Sequence, residues 1–91
     1  MNRYLVNVYG KVQGVGFRYF TYYIAKSYKL TGWVKNCDDG SVAIEIQGKG
    51  TDIEKFLTKI RIGTPFSKVK KVDVIKIDID KKEKKFNLTY Y

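Results

Sequence analysis

Hydrophobic and polar residues repeat at two different periods along the chain, and each change of period marks an expected element of secondary structure. Alternation with period two over residues 4–12 places Val6 and Val8 on one face of a first strand, and residues 42–47 alternate in the same way. Between residues 17 and 30 the apolar residues instead recur every three or four positions, as on one face of a helix, at Phe17, Phe20, Ile24 and Tyr28 or Ser27. A second helical stripe comprises Ile53, Phe56, Leu57 and Ile60.

Three further strands complete the pattern. Residues 33–36 form a short strand, residues 68–79 a long one, and Phe86, Leu88 and Tyr90 a short terminal one. The apolar residues of the long strand change parity after Val74, which predicts a bulge or twist near that position. The charged residues 80–85 that follow predict a solvated turn.

Glycine, proline and hydroxyl residues indicate where these elements end. Gly32 is expected to stop the first helix, and the Asp-Gly pair within residues 37–40 predicts a tight turn between the second and third strands. Thr51 and Glu54 have the spacing of a capping box, with Thr51 as the N-cap of the second helix. The Gly-Thr-Pro sequence at residues 63–65 ends that helix.

The order of the expected elements is β-α-β-β-α-β with a short C-terminal strand. Two helices can then cover one face of a mainly antiparallel sheet, which is an α+β fold of the ferredoxin-like sandwich type. No linker divides the chain, so residues 1–91 are expected to form a single domain. This fold hosts many functions, and the function must therefore be argued from a site.

Composition narrows the chemistry. The net charge of +9 favours anionic partners, although charge alone does not choose among phosphorylated metabolites, nucleic acid and anionic lipid. The absence of histidine excludes Ser-His-Asp catalysis, phosphohistidine chemistry and His-ligated zinc. Cys37 is the only cysteine, which fits a reducing cytoplasm. Since there is no signal-peptide core and no apolar run near the ~20 residues of a membrane span, we expect neither export nor a membrane partner.

The segment from Gly10 to Arg18 joins the first strand to a helix N-terminus through Gly14 and Gly16. Amides at a helix start lack intrahelical partners, and glycines let the preceding backbone curl so that its amides converge, which suits a phosphate. Arg18 falls in the first helical turn, where the helix dipole disfavours a cation, and no acidic residue occurs from residue 12 to residue 31. A bound anion would remove this conflict, but a plain strand-to-helix turn also accounts for the glycines.

Asn36 closes the second strand just before the turn. Its side chain either bonds the nearby backbone, as turn asparagines commonly do, or faces the glycine loop and orders a water molecule. Both interpretations remain open from the residues alone. Cys37 lacks the arginine six positions later that a cysteine phosphatase needs, since that residue is Ala43. The pair Asp38-Asp39 has no third carboxylate nearby, so it is assigned to the turn rather than to a metal site.

The chain resembles the acylphosphatase family in two motifs of matching spacing. One is Gly10-Lys11-Val12-Gln13-Gly14-Val15-Gly16-Phe17-Arg18, and the other runs from Gly32-Trp33-Val34-Lys35-Asn36 through Gly40-Ser41-Val42 to Gly48. The resemblance implies a monomeric cytoplasmic enzyme that hydrolyses small acyl phosphates to a carboxylate and inorganic phosphate, with no metal and no cofactor. Phosphate and sulfate are then expected to bind as anions.

The resemblance also assigns the site residues. Arg18 would bind the phosphoryl group together with the loop, Asn36 would orient the attacking water, and Thr21 would play a supporting role. The implied phosphate-binding residues are Gln13, Gly14, Val15, Gly16, Phe17 and Arg18.

Two positions depart from the family pattern. Cys37 stands where many members have threonine, and Thr89 lies where many have an arginine nearby.

Two other functions compete with hydrolysis. RNA-recognition domains share the fold, and residues 16–20 echo an aromatic RNA-binding motif, but that motif belongs on a central strand and here it opens a helix. We therefore expect no nucleic-acid partner. The second alternative is a non-catalytic module like the acylphosphatase-like domains of larger maturation enzymes, against which the stand-alone length argues.

Overall fold

Two helices pack on one face of a five-stranded sheet in the computed structural model, which describes residues 1–89. The elements follow the expected order, with these bounds: β1 Asn2–Lys11, α1 Phe17–Ser27, β2 Thr31–Asn36, β3 Val42–Gly48, α2 Gly50–Ile62, β4 Lys68–Ile77 and β5 Phe86–Leu88. Tyr90, expected in the terminal strand, lies outside the described residues.

The strands lie in the order β4-β1-β3-β2-β5. The pairs β1–β4, β1–β3 and β2–β3 are antiparallel, whereas β5 runs parallel to β2. The ferredoxin-like α+β fold is therefore confirmed. This order also separates β1 from β2 by the whole width of β3, which matters for the site described below.

The core lies between the sheet and the two helices, where the periodicity placed it. Val6 pairs with Ile44 on one side and Val74 on the other, so the even-numbered residues of β1 and β3 share the helix-facing side with Val72 and Val74 of β4. On α1, Phe20 and Tyr28 are only partly buried, and Thr21 and Ala25 occupy the core side instead. The largest fully buried side chains are Val6, Val8, Val12, Val34, Val42, Ile44, Ile46, Phe17, Thr21, Ile53, Phe56 and Ile60.

The first helix ends earlier than Gly32, so the expected stop at that residue was wrong. Lys29 adopts the left-handed region with φ 56°, and its amide donates to the carbonyl of Lys26 while Leu30 donates to Ala25. This pair of bonds closes the helix without a glycine. Gly32 instead lies inside β2 with φ 138°, where a Cβ atom would clash with the carbonyl oxygen of Glu45.

The capping box proposed for the second helix is also wrong. The N-cap is Lys49, no side chain of the described chain caps the helix, and Thr51 already lies in its first turn. Because β3 runs to Gly48, a single residue connects strand and helix. The amide of Ile53 donates to the carbonyl of Lys49 at 3.0 Å, which closes the first turn two residues before the expected start.

The bulge expected near Val74 lies elsewhere. The register between β1 and β4 shifts where Tyr9 faces Lys71 and Gly10 faces Val69, so that Lys70 is the extra residue. The change of apolar parity has a different cause. β4 is an edge strand whose second face is open, and Ile75 stands on that face with 57% of its surface exposed.

The charged segment 78–85 is more than a solvated turn, because it carries the chain from one edge of the sheet to the other. Arg3 lies beneath it, only 4% exposed, and donates to Glu45 at 2.7 Å and to Glu83 at 2.6 Å. Its guanidinium also donates to Gln47 at 3.1 Å. The hydrogen bonds to Glu83 and then Glu45 raise the pKa of Arg3 against the opposing effect of burial. The segment is therefore tied to the sheet through a buried cation.

Replacing Glu83 with glutamine tests this tie. The amide keeps the size of the side chain but removes the charge opposite a buried guanidinium, so we expect Glu83→Gln to lower the free energy of unfolding by about 1–3 kcal/mol. Urea denaturation measures the change. The matched control is Asp73→Asn, which breaks the 3.5 Å pair of Asp73 with Lys71, whose side chains are 44% and 66% exposed. That loss should stay below about 1 kcal/mol, and equal losses in the two variants would contradict the assignment.

Candidate active site

A small pocket opens where β1 ends and α1 begins. It has a volume of about 120 Å³ and brings together the loop after β1 and the last residue of β2. Arg18 and Asn36, which lie far apart in the sequence, both line it. The described lining residues are Val12, Gly14, Gly16, Phe17, Arg18, Tyr19 and Asn36.

The backbone of the loop is held in a conformation that favours glycine. Gly14 and Gly16 have φ values of 71° and 76°, and Gly16 is the N-cap of α1. A Cβ atom at either position would meet nothing within 4 Å, so glycine is needed there for its backbone angles rather than for space. No side chain among residues 1–89 caps the helix, and its first turn carries no acid. The positive end of α1 therefore meets the pocket without a carboxylate to compensate it.

Arg18 is held by the segment that follows the edge strand β5. Its Nη1 atom donates to the carbonyl oxygen of Thr89 at 2.9 Å, and the amide of Thr89 donates to Val34 of β2 at 2.9 Å. The segment after β5 thus anchors the guanidinium through its main chain. Because every residue carries a main-chain carbonyl, the side chains near position 89 do not indicate this contact.

Asn36 carries an unsatisfied polar atom. Its Oδ1 is buried and accepts no hydrogen bond from residues 1–89. A buried acceptor without a partner costs about 1–3 kcal/mol, so native proteins rarely leave one without a reason. The side-chain oxygen makes none of the backbone hydrogen bonds that would define a turn-forming asparagine. It is an acceptor without a partner in residues 1–89, on a residue that lines the pocket.

Within residues 1–89, the lining of the pocket does not include three residues that the family resemblance assigned to the site: Gln13, Val15 and Thr21. The side chain of Gln13 points to the hairpin, where Nε2 donates to the carbonyls of Cys37 at 2.8 Å and Ser41 at 2.9 Å. Val15 packs against the core. Thr21 is fully buried and its hydroxyl donates to the carbonyl of Phe17 at 2.9 Å, which places it behind the helix start.

The turn after Asn36 is internally bonded. Cys37 donates to Ser41 at 2.8 Å, and Gly40 donates back to Cys37 at 3.1 Å. Oδ1 of Asp39 accepts from the hydroxyl of Ser41 at 2.6 Å and from its amide at 2.9 Å. These bonds, the hydroxyl first, lower the pKa of Asp39. This contact was not predicted from the sequence, in which Asp39 was assigned only to the turn, although an aspartate two residues before a serine in a turn is its signal.

Neither a metal-binding cluster nor a membrane-spanning helix is found in residues 1–89. No group of three or more His, Cys, Asp or Glu side chains comes together there in a way that could hold a metal ion. The two helices in that range are too short and too polar to cross a bilayer. The fixed positive groups described at the pocket are Arg18 and the amino end of α1.

The similarity to known proteins extends over nearly the whole chain. Residues 4–88 match the family model described as Acylphosphatase. A curated acylphosphatase of Clostridium acetobutylicum is 49% identical over 90 residues, which cover 99% of each chain. One from Geobacillus kaustophilus is 47% identical and covers 99% of this chain and 96% of its own.

Solved structures agree with this match. The crystal structure of acylphosphatase from Bacillus subtilis superposes with a TM-score of 0.94 at 41% identity, covering 99% of this chain and 100% of that one. Full-length HypF, crystallised in a phosphate- and nucleotide-bound form, contains a similar region with a TM-score of 0.86 at 32% identity. That match covers 97% of this chain but 12% of the longer one.

The contact between Asp39 and Ser41 predicts how acid acts on the turn. Because the folded pKa of Asp39 lies below its unfolded value of about 3.9, its contribution to stability is present above that pH and is lost as the pH falls through the folded pKa. The difference in urea midpoint between the unsubstituted protein and Asp39→Asn should therefore shrink below about pH 4. Asp38→Asn removes a carboxylate from the same exposed turn and serves as the control. A difference that stays constant down to pH 2 would contradict the assignment.

Proposed function

The chain belongs to the acylphosphatase family, and from this premise we propose that it hydrolyses the carboxyl-phosphate bond of acyl phosphates by direct in-line attack of water. Family membership supports an enzyme that converts an acyl phosphate to a carboxylate and inorganic phosphate. The mechanism rests on one observation: a single pocket unites Arg18, the uncapped start of α1 and Asn36, whose buried Oδ1 accepts no bond from residues 1–89.

The loop and Arg18 hold the phosphoryl group. Amides at the start of α1 and in the glycine loop meet its oxygens as donors, and the guanidinium of Arg18 adds a paired set of hydrogen bonds. The carbonyl of Thr89 restrains one side of that guanidinium, so it is positioned before the ligand arrives. Phosphoryl transfer through a loose transition state depends mainly on such positioning and charge stabilisation.

Asn36 orients the nucleophile. Oδ1 accepts a hydrogen bond from a water molecule, which leaves an oxygen lone pair of that water to face the phosphorus. The new bond forms between the water oxygen and phosphorus while the bond from phosphorus to the carboxyl oxygen breaks, and its electron pair leaves with the carboxylate. The proton released by the water passes to the phosphate product. Orientation of this kind supplies several kcal/mol.

The leaving group explains why so few catalytic residues are needed. A carboxylate is stable without protonation, so the reaction requires no strong general acid, and the chain has no histidine. Arg18 and the helix dipole supply the positive charge that a metal ion provides in many phosphoryl-transfer enzymes. We therefore propose a reaction that is independent of metals and cofactors.

We propose a single-domain monomer over residues 1–91 that acts in the cytoplasm on small acyl phosphates. Inorganic phosphate and sulfate should bind as competing anions, which the phosphate-bound form of HypF supports for a related protein. A nucleic-acid partner is not proposed, since the third strand carries no aromatic residue on which a base could stack.

The choice of leaving group gives a direct test. Acetyl phosphate and benzoyl phosphate should be hydrolysed at unchanged rates in the presence of EDTA, because no step uses a metal. p-Nitrophenyl phosphate should be hydrolysed poorly, because the pocket offers no general acid for an ester oxygen. Phosphate release measured with each substrate decides the matter. A strong loss of activity on chelation would overturn metal independence, and rapid turnover of the monoester would overturn the mechanism.

Substitutions separate the two catalytic residues. Arg18→Ala should raise the Ki of phosphate and lower kcat together, and Arg18→Lys should restore little, because lysine lacks the paired donors. Asn36→Ala should lower kcat by roughly 10²-fold or more yet leave the Ki of phosphate nearly unchanged.

Stability measurements complete this test. Oδ1 of Asn36 is buried and accepts no bond from residues 1–89, so its removal should leave the melting temperature unchanged or raise it. The kinetic effect can then be measured on folded protein. Near-normal kcat in an Asn36→Ala protein with a lowered melting temperature would remove Asn36 from the mechanism.

A further inference from the structure

The two halves of the pocket come from strands that do not touch. The glycine loop follows β1, and Asn36 ends β2, but β3 lies between these strands in the sheet. The ladder fixes each of them to β3, through pairs such as Val8 with Val42 and Asn36 with Val42. It does not join the loop to Asn36, because the loop begins only after the last residue of β1. Some other contact must therefore set the distance across which a water molecule would attack.

Gln13 makes that contact. Its Nε2 atom donates one hydrogen bond to the carbonyl of Cys37 at 2.8 Å and one to the carbonyl of Ser41 at 2.9 Å. Both hydrogens of the amide are thus used on the two ends of the hairpin connection. The same two residues are bonded to each other through the amide of Cys37 and the carbonyl of Ser41. One side chain of the loop therefore holds both sides of the hairpin.

The contact joins residues that are next in the chain to the two walls of the pocket. Gln13 immediately precedes Gly14, which lines the pocket, and Cys37 immediately follows Asn36 on the other wall. Asp39 holds Ser41 in turn through its hydroxyl and amide. A continuous set of hydrogen bonds thus runs from the turn to the residue next to the phosphate-binding glycine.

We propose that Gln13 is a positioning residue that sets the spacing between the phosphate-binding loop and Asn36, rather than a ligand of the phosphate through its side chain. This inference rests on the proposed function, since it concerns the distance between the bound phosphoryl group and the oriented water. In-line attack tolerates little error, and a displacement of about 1 Å can lower a rate by roughly 10²-fold.

The two roles predict different kinetics for Gln13→Ala. A positioning residue affects the step that needs both walls, so kcat should fall by roughly 10-fold to 10²-fold. Phosphate binding uses the loop and Arg18, which lie on one wall, so the Ki of phosphate should stay within about twofold of the original value. Gln13→Glu cannot donate to the two carbonyls, and it should lose at least as much kcat.

Combination with Asn36→Ala makes the test specific. If Gln13 acts by placing Asn36, its removal should matter little once Asn36 has been replaced. Gln13→Ala should then lower kcat by less than about twofold in the Asn36→Ala background, and this non-additivity is what a general loss of stability would not produce. The matched control is Gln47→Ala. Gln47 also joins the sheet to a connecting segment, through the amide and carbonyl of Asp80 at 2.8 and 3.0 Å, but it lies at the other end of the sheet. Because Glu83 still pairs with Arg3 in that variant, the connecting segment stays in place, and the variant should lower the melting temperature without changing kcat.

Each outcome has a definite meaning. A Ki of phosphate that rises in proportion to the loss of kcat would overturn the proposal in favour of a direct ligand role. An equal loss of kcat with and without Asn36 would overturn it in favour of an independent role. If the unsubstituted protein hydrolyses no acyl phosphate, the proposed function fails, and NMR still decides the positioning role. In Gln13→Ala the side-chain amide signals of Asn36 should then shift, and unchanged signals would overturn the role.

Discussion

The buried guanidinium of Arg3 holds segment 78–85, which joins the two edges of the sheet. The pocket at the other end of the sheet depends on this segment, because it leads into β5. Because β4 and β5 lie at opposite edges, the chain must cross the end of the sheet between them. The pairing of Arg3 with Glu45 and Glu83 fixes this crossing. β5 can then pair with β2, which brings the carbonyl of Thr89 to Arg18. A contact at one end of the molecule thus supports the position of Arg18 at the other.

The unsatisfied groups described in the fold are concentrated at the pocket. α1 begins without a side-chain cap and with a cation in its first turn, and Oδ1 of Asn36 is buried without a partner in residues 1–89. Elsewhere the buried polar side chains are well bonded, including Arg3, Gln47 and Ser41. Groups left in this state lower the stability of the free protein, and the proposed hydrolysis assigns an anion to the helix start and a water molecule to Asn36. Such local conflict is expected where function, rather than folding, selects the residue.

Sequence patterns predicted most accurately what depends on neighbouring residues. Alternation along β1 and β3 identified the core faces, since side chains of a strand point to opposite sides whatever the strand pairs with. The errors came from contacts between distant segments. Gly32 was predicted to stop the first helix, but glycine is required there because the backbone of β3 leaves no room for a side chain. The capping box predicted at Thr51 does not form, because the connection between β3 and α2 is so short that the helix begins before Thr51. The parity change in β4 reflected an open face of the sheet, which no local pattern distinguishes from a bulge.

The sequence by itself determined the order of the elements, the faces that form the core and the acid-free glycine loop with Arg18, because these depend on period, composition and short spacing. The resemblance to the acylphosphatase family added Asn36 as the residue expected to act together with Arg18. Tertiary structure alone decided that Arg18 and Asn36 share a pocket, that Thr89 supports Arg18 through its main chain and that Gln13 bridges the loop to the hairpin. The reason is physical: backbone carbonyls are the acceptors in these last two contacts, and every residue carries one. Which carbonyl a side chain meets is settled only when the sheet has placed the strands.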